Sequence, residues 1–226
     1  RIPDKEIIKQ YNIRYCNNGY YKNRFIIPII FSGKMTTTFY ARSIYRSAND
    51  YIEHLKSFNN LNTEQQNNII DNFRKVLFPV GNQSKYLFFN WDNAVNNTDY
   101  VILVEGILDA IKIANWGYNV IANLTLFLNS YKRGLILSKF NKVYLCMDND
   151  YKVKIEKHGK VIKNPGQEGS KKIFESLNNI IETKTIVLPQ GKDPDDCNKD
   201  EFDAAFNLSN HRTHSNSKIL NFKIFN

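Results

Sequence analysis

The sequence predicts an α/β fold built on a parallel sheet with helices on both faces, preceded by a smaller basic α+β subdomain. Three observations carry this. Val101–Val104 is a short apolar run that ends on Glu105 and a turn at Gly106. A helical pattern follows at once, with Ile107, Leu108, Ile111, Ile113 and Ala114 on one side. A second apolar run, Val143–Met147, ends on Asp148-Asn149-Asp150. Short apolar runs alternating with helical patterns mark parallel strands joined by crossover helices.

In order, Ile2–Tyr11 reads as a helix with Asp4 as its cap, and Gly19-Tyr20 as a turn. Phe25–Phe31 reads as a strand whose Pro28 points to an edge or a bulge. Ser32-Gly33 turns it back into Met35–Arg42. Ser47–Phe78 is helical in period with a break at Asn59-Asn60, and Thr63 with Glu64 opens the second helix. After a loop, Lys85 emerges ahead of the sheet. Asn119–Ala122 is the next strand, and Ser130–Lys139 a helix with Lys132 and Arg133 exposed. Tyr151–Asn164 alternates about His158-Gly159 and reads as a hairpin rich in lysine, with His158 in the turn. Ser170–Ile181 is a helix, Lys184–Leu188 a strand, and Lys199–Phe206 a short helix capped by Asp196. The divisions expected are residues 1–99, 100–206 with the hairpin 151–164 inserted, and a tail at 207–226.

In an open parallel sheet the functional crevice lies at the carboxyl ends of the strands. Glu105 and Asp148 both end strands, so they should converge, with Asp150 on the same side. Carboxylates held together repel one another unless a counter-charge joins them. Mg²⁺ takes one or two carboxylates, waters and phosphate oxygens, so an open Mg²⁺ or Mn²⁺ site is expected. Each carboxylate alone reads equally as a solvated or capping residue. Asp193 and Asp195 lie at the end of a further strand on the same edge, with Pro194 stiffening the loop between them.

The pattern of an apolar strand, E-G-x-x-D-A with Asp109 in its acidic position, then an apolar strand and D-x-D, resembles the TOPRIM domain of primases, topoisomerases and some nucleases. Tyr20–Arg42, Lys85-Tyr86-Leu87 and Leu188–Asp196 (LPQGKDPDD) resemble further segments of DnaG-type primases, and most of all of phage or plasmid primases. The likeness covers roughly positions 10 to 200. It implies a primase core that makes short RNA primers on single-stranded DNA from ribonucleoside triphosphates. Glu105, Asp148 and Asp150 would then be catalytic and bind metal, Asp193 and Asp195 would serve a second cation, and Arg24, Lys34, Arg42 and Lys85 would hold template or nucleotide. Lys152, Lys154, Lys157 and Lys160 on the hairpin would add a nucleic-acid contact; a solvated basic hairpin is the plainer reading. The same holds for the basic rim around Arg24, Lys34 and Arg42. The family has a glycine where this chain has Thr125, so a close backbone approach to nucleotide is not expected there. The 47–78 helical pair departs from the usual layout and reads as an insertion.

Composition agrees with a nucleic-acid partner without requiring one. The formal charge is +9, from 31 Lys and Arg against 22 Asp and Glu. The three cysteines form no C-x-x-C pair and no zinc spacing, which fits a reducing compartment. The expected setting is the cytoplasm of a bacterial or phage-infected cell. No apolar run is long enough for a transmembrane helix and no signal-peptide pattern opens the chain, so no membrane partner is expected. The chain opens without Met, so it reads as a fragment or a processed product. A zinc-binding module or a replicative helicase would have to come from another chain or from a missing part of this one. No helicase phosphate-binding loop is present. Two other functions remain open: a metal-dependent nuclease using the same carboxylates, and a non-catalytic module that binds single-stranded nucleic acid and recruits a helicase.

Overall fold

The structure, a computed structural model, describes residues 4–33, 37–149, 152–156, 159–163 and 165–211, with the backbone alone described for 152–156, 159–163 and 165. The chain forms two compact units, Arg1–Ser84 and Lys85–Asn226.

The first unit opens on helix α1 (Lys5–Gln10), whose cap is Asp4 as expected: its carboxylate accepts from the Glu6 amide at 2.9 Å. An antiparallel sheet follows, in the order β1 (Arg14–Cys16), β2 (Arg24–Ile29), β3 (Thr38–Ser43), β4 (Val76–Leu77). Pro28 sits inside β2 opposite Phe39 of β3. It is tolerated because β1 is short: its register on β2 runs only from Arg24 to Ile26, so no β1 residue pairs with Pro28. β1 was not expected, since three residues carry too little alternation to read. Val76 and Leu77 were expected at the end of a helix; they form β4 instead, paired to Arg42 and Ala41. Sheet pairing overrides local periodicity here.

Between β3 and β4 lie α2 (Ala48–Lys56), capped by Ser47, and α3 (Thr63–Asn72). α3 starts at Thr63, as expected. Asn62 caps it, and Gln65 returns a hydrogen bond to the Asn62 amide, so both orphan donors are satisfied.

The second unit is a parallel sheet in the order β10-β7-β5-β6. Its strands are β5 (Val101–Val104), β6 (Val120–Ala122), β7 (Lys142–Leu145) and β10 (Glu182–Thr185). All four β5 residues are fully buried, as a central parallel strand covered on both faces requires. Helices α5 (Ile107–Asn115), α6 (Ser130–Lys139) and α7 (Pro165–Leu177) make the crossovers. The right-handed crossover rule sends α5 to one face and α6 and α7 to the other. Residues 85–99, expected with the first domain, pack here. After a short 3-10 turn at Ser84–Tyr86, Phe89 exchanges two backbone hydrogen bonds of 3.1 Å with Ala122 and so covers the β6 edge. Phe88 then stacks on Trp91 of α4 (Trp91–Ala94).

The expected hairpin is present as β8 (Lys152–Glu156) and β9 (Gly159–Lys163), paired antiparallel. His158 lies outside the described residues. Helix α8 (Lys199–His211) closes the unit: Phe202 is fully buried against Trp116 and Tyr118, and Phe206 packs on Tyr100, Tyr118 and Tyr144. Its start is set by Asn198 and not by Asp196, because the Asn198 side chain accepts from the Glu201 amide at 2.9 Å. No helix among the described residues is long and apolar enough to cross a membrane.

Candidate active site

β5 and β7 are hydrogen-bonded parallel neighbours with Val101 opposite Val143 and Leu103 opposite Leu145. The pairing continues one step further, since the Cys146 amide donates to the Leu103 carbonyl at 2.9 Å. Glu105 and Asp148 therefore follow adjacent strands, whose axes lie about 4.8 Å apart, at the same edge of the sheet. β10 extends the row: the Ile186 amide donates to the Leu145 carbonyl, and Asn149 Nδ2 donates to the Leu188 carbonyl at 2.8 Å. This brings the loop carrying Asp193 and Asp195 beside Asp148.

That loop is pinned from three sides. The Asn149 amide donates to the Lys192 carbonyl at 3.1 Å, and the Gly191 amide donates back to the Asn149 carbonyl at 2.9 Å. Lys192 Nζ pairs with Glu201 of α8 at 2.6 Å. Lys112 of α5 donates to the Asp195 carbonyl. Asn149, which reads in sequence as a spacer between two aspartates, is thus the residue that fastens two strand ends together.

The electrostatics show the clustering. Asp109, on the first turn of α5, is buried, and its carboxyl is pushed well above the usual carboxylate range. Burial is the main cause; the charges of Asp148, Asp193 and Asp195 add to it, and the Gly106 amide acts the other way. Asp109 also explains the glycine before it: a Cβ on Gly106 would come within 2.4 Å of Asp109 Oδ2. Sequence reading named Asp109 as part of the motif but left it out of the site.

The end of β7 is held from the other face by α7. Gln167 Nε2 donates to the Asp148 carbonyl at 3.1 Å and reaches the Met147 carbonyl at 3.4 Å. Gly166 lets the helix come this close, because a Cβ there would lie 2.4 Å from the Asp148 carbonyl oxygen. α7 starts at Pro165, five residues ahead of the expected Ser170, and so brings both residues to the strand end.

The loop after β6 lies beside Glu105. The Leu124 amide donates to the Glu105 carbonyl at 3.1 Å, and Leu124 takes a φ of 64°. The left-handed position is therefore one residue before Thr125, in a side chain that adopts it at a cost. Asn123 ties the loop through Nδ2 to the carbonyls of Thr125 (2.7 Å) and Phe127 (3.1 Å).

Lys132, expected on the surface, is completely buried. Its Nζ donates to the Asn123 carbonyl and to Asn123 Oδ1, and lies 4.8 Å from the centroid of the Phe88 ring. The signal for this was in the sequence: Lys132, Ile136 and Phe140 are spaced by four, and the latter two are apolar. Burial lowers its pKa from 10.5 to about 7. Between those values the unfolded chain binds one more proton than the folded one, so stability rises with pH through that window. The slope is at most about 1.4 kcal/mol per pH unit. It vanishes below pH 7, where both states are charged. Urea midpoints from pH 6.5 to 9.5 should show this rise in the natural chain and lose it in Lys132→Met. Parallel curves for the two proteins would contradict it.

The remaining expected residues are placed as follows. Arg24 spends its guanidinium on backbone, donating to the carbonyls of Ala41 (3.3 Å), Arg74 (2.6 Å) and Lys75 (3.3 Å). It braces the entry to β4 inside the first unit. Arg42 Nη1 donates to the Tyr40 hydroxyl at 3.1 Å. Lys85 is exposed on the 3-10 turn, with Nζ 4.9 Å from the Tyr86 ring centroid. Lys34, Asp150 and Lys157 lie outside the described residues, and for Lys152, Lys154 and Lys160 the backbone alone places them in β8 and β9.

Among the described residues no group of three or more His, Cys, Asp or Glu side chains is arranged to hold a metal ion. What they supply is Glu105 and Asp148 on neighbouring strand ends, with Asp193 and Asp195 near enough to raise the pKa of Asp109. This donor set suits an ion that takes few carboxylates and completes its shell with water and phosphate.

No protein-family model and no curated protein matches the sequence. Solved structures do match the fold. The Aquifex aeolicus primase, comprising its zinc-binding and RNA polymerase domains, superposes with a TM-score of 0.67 at 17% identity, over 92% of this chain and 52% of that one. The DnaG catalytic core superposes at 0.64 and 15% identity, over 91% of this chain and 69% of that one. The DnaG primase catalytic domain bound to single-stranded DNA superposes at 0.59 and 14% identity, over 90% of this chain and 62% of that one. The architecture, a parallel α/β sheet with an antiparallel sheet before it, is thus that of primase catalytic cores. The chain spans about half the length of the Aquifex protein.

Proposed function

We propose that this chain is a catalytic core of primer synthesis on a TOPRIM-type sheet, joining ribonucleotides on a single-stranded DNA template with Mg²⁺ or Mn²⁺. The observation that supports the reading is the parallel pairing of β5 with β7, after which Glu105 and Asp148 follow neighbouring strands at the edge where the Asp193–Asp195 loop is fastened.

In the reaction a 3′-hydroxyl oxygen bonds to the α-phosphorus of a nucleoside triphosphate. The bond from that phosphorus to the bridging oxygen breaks, pyrophosphate leaves, and the hydroxyl proton passes to water. Glu105 and Asp148, with Asp150 as the family likeness implies, would hold the cation; Asp193 and Asp195 would serve a neighbouring one. The bound cation supplies a lowered hydroxyl pKa and neutralises phosphate charge. Asn149 and Gln167 hold the Asp148 peptide at fixed distance from the loop and from α7, which keeps the carboxylates in place between turnovers. Lys85, exposed on its turn, would attract triphosphate or template phosphate as a point charge. Asp109, whose carboxyl is pushed well above the usual carboxylate range by burial and by the neighbouring aspartates, lies against Gly106 behind this edge. A zinc-binding module and a helicase would be supplied by other parts or partners.

The test is the chain incubated with a mixed-sequence single-stranded template, the four ribonucleoside triphosphates and Mg²⁺ or Mn²⁺. Short RNA products that require both the template and the metal are expected. Template fragments in place of RNA would make the chain a nuclease, and template binding with no product would make it a non-catalytic module.

A further inference from the structure

Phe88, Phe89, Trp91, Phe140, Tyr144 and Phe202 of the second unit are buried. Three aromatic side chains at one place are exposed instead. Tyr86 is 40% exposed, Phe127 59% and Tyr131 51%, and Leu126 beside them is 36% exposed. They come from two separate segments brought together by Asn129. Its side chain accepts from the Lys132 amide at 2.9 Å, which fixes the start of α6. It also donates to the Lys85 carbonyl at 2.6 Å, which fixes the 3-10 turn. Tyr86 and Tyr131 meet edge to face with centroids 5.9 Å apart. Phe127 stands two residues before Asn129, on the loop that begins against Glu105. A third segment adds charge: Lys172 of α7 places Nζ 5.2 Å from the Phe127 centroid. Lys85 does the same over Tyr86. Neither lysine has an ion pair among the described residues.

We propose that Phe127 and Tyr131, backed by Tyr86 and flanked by Lys85 and Lys172, form a stacking platform for unpaired bases of single-stranded DNA. The inference rests on the primase reading for its identification of the strand as template. The geometry favours nucleic acid over a protein partner. Protein interfaces are depleted of lysine, most of all at their centres, whereas here a lysine lies against each of two exposed rings. Base stacking needs an exposed π-face and nearby positive charge for the backbone, and is tolerant of sequence. Such a surface beside the carboxylates would hold the template while bases are copied.

The experiment measures binding of a fluorescent oligo-deoxythymidine and of a duplex control by anisotropy, at several salt concentrations. Phe127→Ala with Tyr131→Ala should weaken single-strand binding by about tenfold or more per ring and leave duplex binding and the salt slope as they were. Lys172→Ala should instead lower the salt slope by roughly 0.7. If the double variant does not fold, Phe127→Leu keeps the apolar bulk, removes the ring and should still weaken binding. Single-strand affinity unchanged in ring variants that are folded overturns the platform, as does loss of binding equal for single strand and duplex. Ring variants that bind DNA normally but lose a protein partner would show the face to be a protein-docking surface, which also overturns it. The two readings fail separately. A chain that makes primers with unchanged template affinity in the ring variants refutes the platform alone. A natural chain that makes no primer, while its ring variants lose single-strand binding, refutes the primase reading alone.

Discussion

Asp148→Asn should reduce primer synthesis by about 10³-fold, the scale expected when a preorganised charge at the reacting centre is lost. Template affinity should change by less than about threefold. The substitution is nearly isosteric and leaves intact the bonds from Gln167 and Asn149 to backbone carbonyls that hold the strand end. Its effect on stability has an informative sign. The charge of Asp148 is one of the causes that raise the Asp109 pKa, so removing it relieves repulsion inside the sheet edge. Without divalent cation the variant should be as stable as the natural chain or more so. With Mg²⁺ the order should reverse. Only the natural chain would gain the linkage term, about 2.7 kcal/mol at a hundredfold excess over Kd. Thermal unfolding with and without Mg²⁺ reads this independently of activity. A variant that is stabilised by Mg²⁺ as strongly as the natural chain would remove Asp148 from the metal site.

The middle of the sheet was legible because β5 and β6 are buried throughout and read as unbroken apolar runs, Val101–Val104 most plainly, whereas β10 at the edge is polar (Glu182–Thr185) and does not. That β5 and β7 end at one edge of the sheet, with Glu105 and Asp148 just beyond them, followed from that, since they are parallel neighbours. Strands that gain their identity only from a partner did not show: β1 and β4 are too short to alternate, and β4 was hidden in a helical period. The supports of the site were equally hidden. Asn149, Asn123 and Gln167 act through hydrogen bonds to backbone across 19 to 39 positions or within a loop, and no spacing rule marks them. Lys132 was misread because a charged side chain on an apolar stripe is normally a boundary of that stripe, whereas here Asn123 and Phe88 receive it. The bracing contacts of Arg24 were hidden for a similar reason: a basic residue at a strand end carries no mark in the sequence of the three carbonyls around it.

Gly166→Ala tests whether the approach of α7 sets the position of the Asp148 peptide. By helix propensity alone the substitution should stabilise, by up to about 1 kcal/mol. Gly134, exposed in the middle of α6 with nothing within 4 Å of its Cβ position, should behave in that way and serves as the control. At Gly166 the added methyl would lie 2.4 Å from the Asp148 carbonyl oxygen and 3.1 Å from Asp148 Cβ. Those atoms belong to the backbone and to the root of the side chain, so no flexible end can swing away. Either α7 withdraws, taking the Gln167 hydrogen bonds with it, or the end of β7 shifts by several tenths of an ångström or more. Misplacement on the scale of 1 Å at a reacting centre costs on the order of 10²-fold in rate. The expected outcome is therefore a loss of primer synthesis of about that size in Gly166→Ala, with the fold retained and the Mg²⁺-induced rise in Tm diminished. Gly134→Ala should gain stability and keep full activity. The two glycines have the same helical propensity to offer, so opposite outcomes would isolate the contact with Asp148 as the cause. Equal activity in both variants would mean that α7 can recede without moving the carboxylate, and the supporting role assigned to Gly166 and Gln167 would fall.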